Sequence, residues 1–189
     1  GLNSNKPFLE FLKTGKYKIK HSIDTPSSAM KVTHPSNLVR LIELYNGHMY
    51  DKREKGKVVE PGVIDKIPDL EKMREDFFVY SLTNEEHYQT MKEVYNQYGI
   101  VLDPHGSVGW KTLEEYRKQT KDESVAVIYE TADPGKFPED VKKAIGIEPE
   151  VPKGMQKQVK MKERIFSINS KADKTESGLK LSCEQIIET

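Results

Sequence analysis

The run SVAVIYET, residues 124–131, constrains the fold more than any other stretch of the chain. Val125, Val127 and Ile128 are β-branched and the run is nearly continuous, as expected of a strand covered on both faces in a parallel sheet. A strand of that kind cannot stand alone. Its backbone donors and acceptors need neighbours, and parallel neighbours need crossover helices. FFVYSLT (77–83) and IVLD (100–103) read as two further short strands. Helices are expected between and after them. TNEEHYQTMKEVYNQYG carries a cap candidate at Thr83 or Asn84 and an apolar stripe of Tyr88, Met91, Val94, Tyr95 and Tyr98. VGWKTLEEYRKQT follows IVLD, and PEDVKKAIG has Pro138 in its first turn, where the missing N–H costs least. The alternation predicts an α/β fold, helix-rich, with an incomplete and mostly parallel sheet.

Upstream, SNLVRLIELYNG spaces Leu38, Leu41, Ile42 and Tyr45 as one helical face, with Ser36 and Asn37 as cap candidates and Gly47 as the stop. HMYDKREKGKVVEPGVIDKI mixes charge with Gly and Pro and reads as a solvent-facing excursion before a short helix in IPDLEKMREDFF. Thirty basic and thirty acidic residues leave no net charge, which argues against nucleic acid and anionic membrane surfaces as partners. No apolar run is long enough to span a bilayer, and GLNSNKPF lacks the regions of a signal peptide, so the reading is cytoplasmic. The one cysteine, Cys183, excludes an internal disulfide. Apolar residues make up 35% beside 32% charged, which is low for a compact domain and suits a chain missing a partner surface.

Ligands of open α/β sheets gather beyond the carboxyl ends of strands. VLDPHGSVGW, with His105 and Ser107, and VIYETADPGKF, with Thr131 and Lys136, have that address, although a plain β-to-α turn explains both. His21, His34, His48 and His87 show no ligand spacing, and no metal site is expected. No GxxxxGK[ST], GxGxxG or GxSxG pattern occurs.

Together the blocks resemble the C-terminal region of threonine synthase, a fold type II, tryptophan-synthase-β-like enzyme dependent on pyridoxal 5'-phosphate. NSNKPFLEFLKTGKY is similar to that family's Asn-x-Asn segment, and TPSSAMKVTHPSNLVRLIELYNG to its Ser-Ala-Met stretch and Pro-Ser-Asn turn. DPHGSVGW, ETADPGKF and RIFSI (164–168) resemble further blocks in family order. On this resemblance residues 1–168 are the matched region, with 36–76 a helical and loop excursion and 77–150 the α/β part. Residues 169–189 are a polar tail.

The resemblance implies a parent that converts O-phosphohomoserine and water to threonine and phosphate. It places the Schiff-base lysine and the phosphate-cradling loop upstream, so that this chain is a fragment, inactive alone, whose partners are the missing N-terminal portion and a second copy in a homodimer. Thr131 is then expected to face the cofactor's pyridine nitrogen, and Asn5 to lie near the cofactor. Ser36, Asn37 and Arg40 are expected to bind the substrate's anionic group, although capping accounts for Ser36 and Asn37 without a ligand. His105 is a substrate-side candidate. The chain departs from the family's usual residues at Lys6, Lys31, Gly106 and Asp133, which leaves a threonine-synthase-like binding protein without catalysis as the alternative. If the chain is a cut piece, SVAVIYET is expected to lack some of its neighbours and to leave apolar surface exposed or covered by a second copy.

Overall fold

Pro7 opens helix α1 (Pro7–Thr14), and Gly15, at φ 68°, closes it by returning its N–H to the Phe11 carbonyl at 2.7 Å. The computed structural model describes residues 1–162, which divide between a unit over Gly1–Pro152 and a second beginning at Lys153. RIFSI, Cys183 and the polar tail lie outside the described residues. α1 turns Phe11 and Leu12 inward against Leu38 and Ile42 of α2 (Leu38–Leu44), Met49 of β1 (His48–Glu54) and Met73 of α3 (Leu70–Asp76). Arg74 ties α3 to α1 by donating from Nε to the Leu12 carbonyl at 2.8 Å.

The 48–67 excursion is ordered as a ladder. β1 pairs antiparallel with β2 (Lys57–Lys66) through a two-residue turn in which Lys55 (φ 49°) and Gly56 (φ 81°) are both left-handed. That turn matches the strands' right-handed twist. The hairpin is largely solvent-facing, and Met49 alone among its β1 residues reaches the core.

α2 differs from expectation at both ends. Neither Ser36 nor Asn37 caps it: Asn37 holds the N-cap position with helical dihedrals, and its side chain makes no capping bond. At the other end Asn46 takes the left-handed conformation (φ 62°). Gly47 is there for space, since a Cβ on it would come within 2.9 Å of Pro68.

The second core joins Met91 and Val94 of α4 (Asn84–Tyr98), Leu102, and Val141 of α6 (Pro138–Ile145) beside α5 (Pro104–Thr120). Thr83 caps α4 in a reciprocal box. Its hydroxyl accepts from Glu86 N at 3.2 Å while the Glu86 carboxylate accepts from Thr83 N at 2.7 Å. α5 starts four residues earlier than expected, at Pro104, because Asp103 caps it by accepting the Gly106 N–H at 2.6 Å. In the second unit Gln156–Val159 forms a short helix, α7.

FFVYSLT, IVLD and SVAVIYET form no ladder. Among the described residues the sheet is the two-stranded β1–β2 hairpin, and the only parallel pairing is an isolated bridge between Leu2 and Ser81. Here Leu2 donates to the Tyr80 carbonyl and accepts from Leu82 N, each at 2.9 Å. SVAVIYET runs over α5 with Ile128 against Gly109, where a Cβ would meet the Ile128 side chain at 2.7 Å. Its alternate residues face solvent: Val125 is 97% exposed, Val127 76% and Tyr129 82%. The strand expected in SVAVIYET does not form among the described residues, because a ladder needs an adjacent strand. Residues 77–150, expected as an α/β part, carry three helices and, apart from the bridge at Ser81, no strand pairing. No helix among the described residues is long and apolar enough to cross a membrane.

His87 is fully buried on α4, and burial holds its imidazole below the ordinary value of 6.5 against the opposing pull of the Thr83 carbonyl. The unfolded chain therefore takes a proton that the folded chain refuses, and stability contributed by neutral His87 is lost as pH falls below about 6.5. Urea midpoints between pH 8 and pH 5 should decline on the acid side. His87→Gln should start lower and decline less steeply.

Candidate active-site cleft

A cleft of about 740 Å³ opens between the N-terminal segment, α2 and the first turns of α5. Asn5, Asn37, Arg40, His105 and Thr131 all line it, drawn from separated blocks of sequence. Ser36 does not line it and is exposed. The rest of the lining is mostly apolar, including Leu41 and Leu44 of α2 and Val108 of α5. A concave, largely apolar site with a few polar groups converging on it is the usual form of a small-molecule site.

Each polar group arrives by a different route. α2 presents Arg40 one turn beyond Asn37, and the guanidinium has no hydrogen-bond or ion-pair partner among the described residues. Thr131 ends the extended run, and its hydroxyl is likewise unpartnered among the described residues. Asn5 is different. Its carboxamide is consumed by the backbone of Ile23, donating to the carbonyl and accepting from the N–H at 2.9 Å each. It shapes the wall and leaves little to offer a ligand.

Asn3 and Ser27, which also line the cleft, belong to a buried polar network that sequence reading missed. Asn3 donates from Nδ2 to Thr25 Oγ1 (3.1 Å), Ser27 Oγ (3.0 Å) and the Met30 carbonyl (3.1 Å), and its Oδ1 accepts Asn5 N–H at 2.9 Å. Ser27 Oγ then meets His87 Nε2 at 3.2 Å, while His87 Nδ1 meets the Thr83 carbonyl at 2.7 Å. A carbonyl only accepts, so Nδ1 carries the hydrogen and Nε2 accepts from Ser27. No local pattern announces bonds that span 22 to 60 residues.

At the α5 end, Asp103 is fully buried. Burial opposes its ionisation, but hydrogen bonds from His105, the Gly106 N–H and Glu130 outweigh this and hold its carboxyl below the usual range. Glu130 goes the other way. Burial, with the neighbouring Asp103 charge and hydrogen bond adding to it, pushes its carboxyl up to about 7 against the Asp103 N–H.

The four departures from the resembled family are all accommodated locally. Lys31 pairs with Asp24, Lys6 is solvent-exposed, Asp133 caps the short 3-10 turn at Pro134–Lys136 by accepting Gly135 N–H at 2.8 Å, and Gly106 lies beneath Glu130. Among the described residues no three His, Cys, Asp or Glu side chains are grouped to hold a metal ion.

Residues 106–177 match the family described as threonine synthase, C-terminal. The threonine synthase of Haemophilus influenzae is 26% identical over 155 residues, covering 82% of this chain and 30% of its own length. That of Methylobacillus glycogenes is 29% identical over 162 residues, covering 82% and 34%. Among solved structures, PLP-bound threonine synthase from Brucella melitensis superposes with a TM-score of 0.67 at 26% identity, covering 86% of this chain and 35% of that one. Yeast threonine synthase gives 0.63 at 24% identity over 96% of this chain, a likeness of fold. The chain spans about a third of the length of the relatives it matches. The resemblance read from the sequence blocks is borne out.

Proposed function

We infer that this chain is the C-terminal region of a threonine synthase, and that the cleft is its share of an active site completed by preceding polypeptide. The observation that carries the reading is the convergence of Asn37, Arg40, His105 and Thr131 on one cleft from three separated blocks. The parent reaction is a β,γ-replacement: phosphate leaves Cγ of O-phosphohomoserine and water adds at Cβ, giving L-threonine and inorganic phosphate.

Pyridoxal phosphate fits the residues present on one side. The unpartnered Thr131 hydroxyl suits a pyridine nitrogen and, being neutral, leaves that nitrogen unprotonated. When bound, the cofactor supplies the electron sink for the replacement. Arg40 neutralises the substrate phosphate and holds it in a fixed orientation, since a guanidinium matches phosphate oxygens with two parallel donors. Asn37 lies beside it, and Ser36, just outside the cleft, joins them when the phosphate extends outward. Asn5 fixes the wall near the cofactor through Ile23, and His105 lies on the substrate side. No lysine is among the residues lining the cleft, in keeping with a Schiff-base lysine supplied by the upstream portion. On this reading the chain alone is inactive, and FFVYSLT, IVLD and SVAVIYET become parallel strands once the upstream portion adds their neighbours.

The test is phosphate release from O-phosphohomoserine by the complete polypeptide. Arg40→Ala should lower kcat/KM by roughly 10- to 100-fold, the range for losing a hydrogen bond to a charged group, and chiefly by raising KM. No phosphate release from the unaltered complete polypeptide would overturn the reading.

A further inference from the structure

Glu130 plays no part in the reaction described above, yet it stands between two residues that line the cleft, Tyr129 and Thr131. Its Oε1 accepts Asp103 N–H at 3.1 Å, which fixes the backbone from which the Asp103 side chain springs. Asp103 in turn accepts from Gly106 N through Oδ1 at 2.6 Å and meets His105 Nδ1 through Oδ2 at 3.0 Å. Because a carboxylate accepts and does not donate, Nδ1 carries a hydrogen, and in the neutral imidazole Nε2 then has the lone pair. The His105 side chain is only 9% exposed and rests on Phe137 at a centroid distance of 4.9 Å. Its buried Nε2 has no hydrogen-bond partner, although the residue lines the cleft. A buried acceptor without a donor is costly, and a ligand donor would remove that cost. Space for the arrangement comes from Gly106, in the third position of α5, where any Cβ would overlap the Glu130 carboxyl group.

We propose that Glu130 is a positioning residue: seated over Gly106, it locks Asp103 and thereby His105, so that Nε2 is offered to the cleft as an acceptor for a ligand N–H or O–H. The proposal rests on the reading above only in taking the cleft as the binding site. The ionisable groups facing this cluster are Asp103 and His105 from the start of α5 and His87 from α4.

The experiment is nitrogen-15 NMR of the histidine rings in this chain, which needs neither cofactor nor activity and so fails or succeeds separately from the phosphate-release assay. Neutral His105 should be the Nδ1–H tautomer. Glu130→Ala frees Asp103 to rotate, and His105 should then populate both tautomers. Gly106→Ala should do the same by expelling Glu130. Glu130→Gln keeps an oxygen that can accept the Asp103 N–H and should restore the unaltered spectrum. Glu130 belongs to neither hydrophobic core, so Glu130→Ala should stay folded and decides the matter even if Gly106→Ala does not. An unchanged His105 tautomer in Glu130→Ala overturns the proposal.

Discussion

Phe11→Ala is expected to destabilise the first unit by about 3–5 kcal/mol, the usual cost of truncating a fully buried aromatic ring. Phe11 is 0% exposed and sits among Leu12, Leu38, Ile42, Met49 and Met73, with Tyr17 edge-on at 6.3 Å. These neighbours come from α1, α2, β1 and α3, and elements so short cannot close the cavity by shifting one side chain. Total stabilities of about 5–15 kcal/mol are typical, so a loss of this size takes most of what a domain has. Urea denaturation followed by circular dichroism would measure it. A loss under about 1 kcal/mol would mean that the ring is not packed as described.

Val127→Lys should produce the opposite division of effects. Val127 is 76% exposed between Val125 and Tyr129 on the open face of SVAVIYET, so in this chain the change should shift stability by no more than about 0.5 kcal/mol. In the complete polypeptide the same lysine would lie where upstream chain is expected to pack, and an unpaired charge there costs several kcal/mol. Soluble yield and phosphate release of the complete polypeptide should both fall by at least tenfold. Unchanged release would show that this face stays open in the whole protein.

The elements that could be read along the chain are those whose signals are local. α4 was legible because Thr83, Glu86 and the Met91–Val94 stripe act within one or two turns. α6 was legible from Pro138 and Gly146. α1 carries the same punctuation, Pro7 and Gly15, but lay inside a block read only for its resemblance. The β1–β2 hairpin was hidden by its charges, although Lys55-Gly56 at its centre was a turn signal of the right length. Ser36 and Asn37 looked like caps, and the chain instead leaves α2 uncapped by side chains.

The chain's residues alone determined the resemblance, the helical periods and the wish of SVAVIYET to be extended, because each depends on chemistry within a few neighbours. Tertiary structure decided the rest. It gathered Asn37, Arg40, His105 and Thr131 around one cleft, consumed Asn5 on Ile23, and ran the Asn3–Ser27–His87 network inward from the wall. It also withheld the sheet. Hydrogen bonds between distant residues, and the adjacent strands that a ladder requires, are properties of what the fold brings together rather than of any stretch read along the chain.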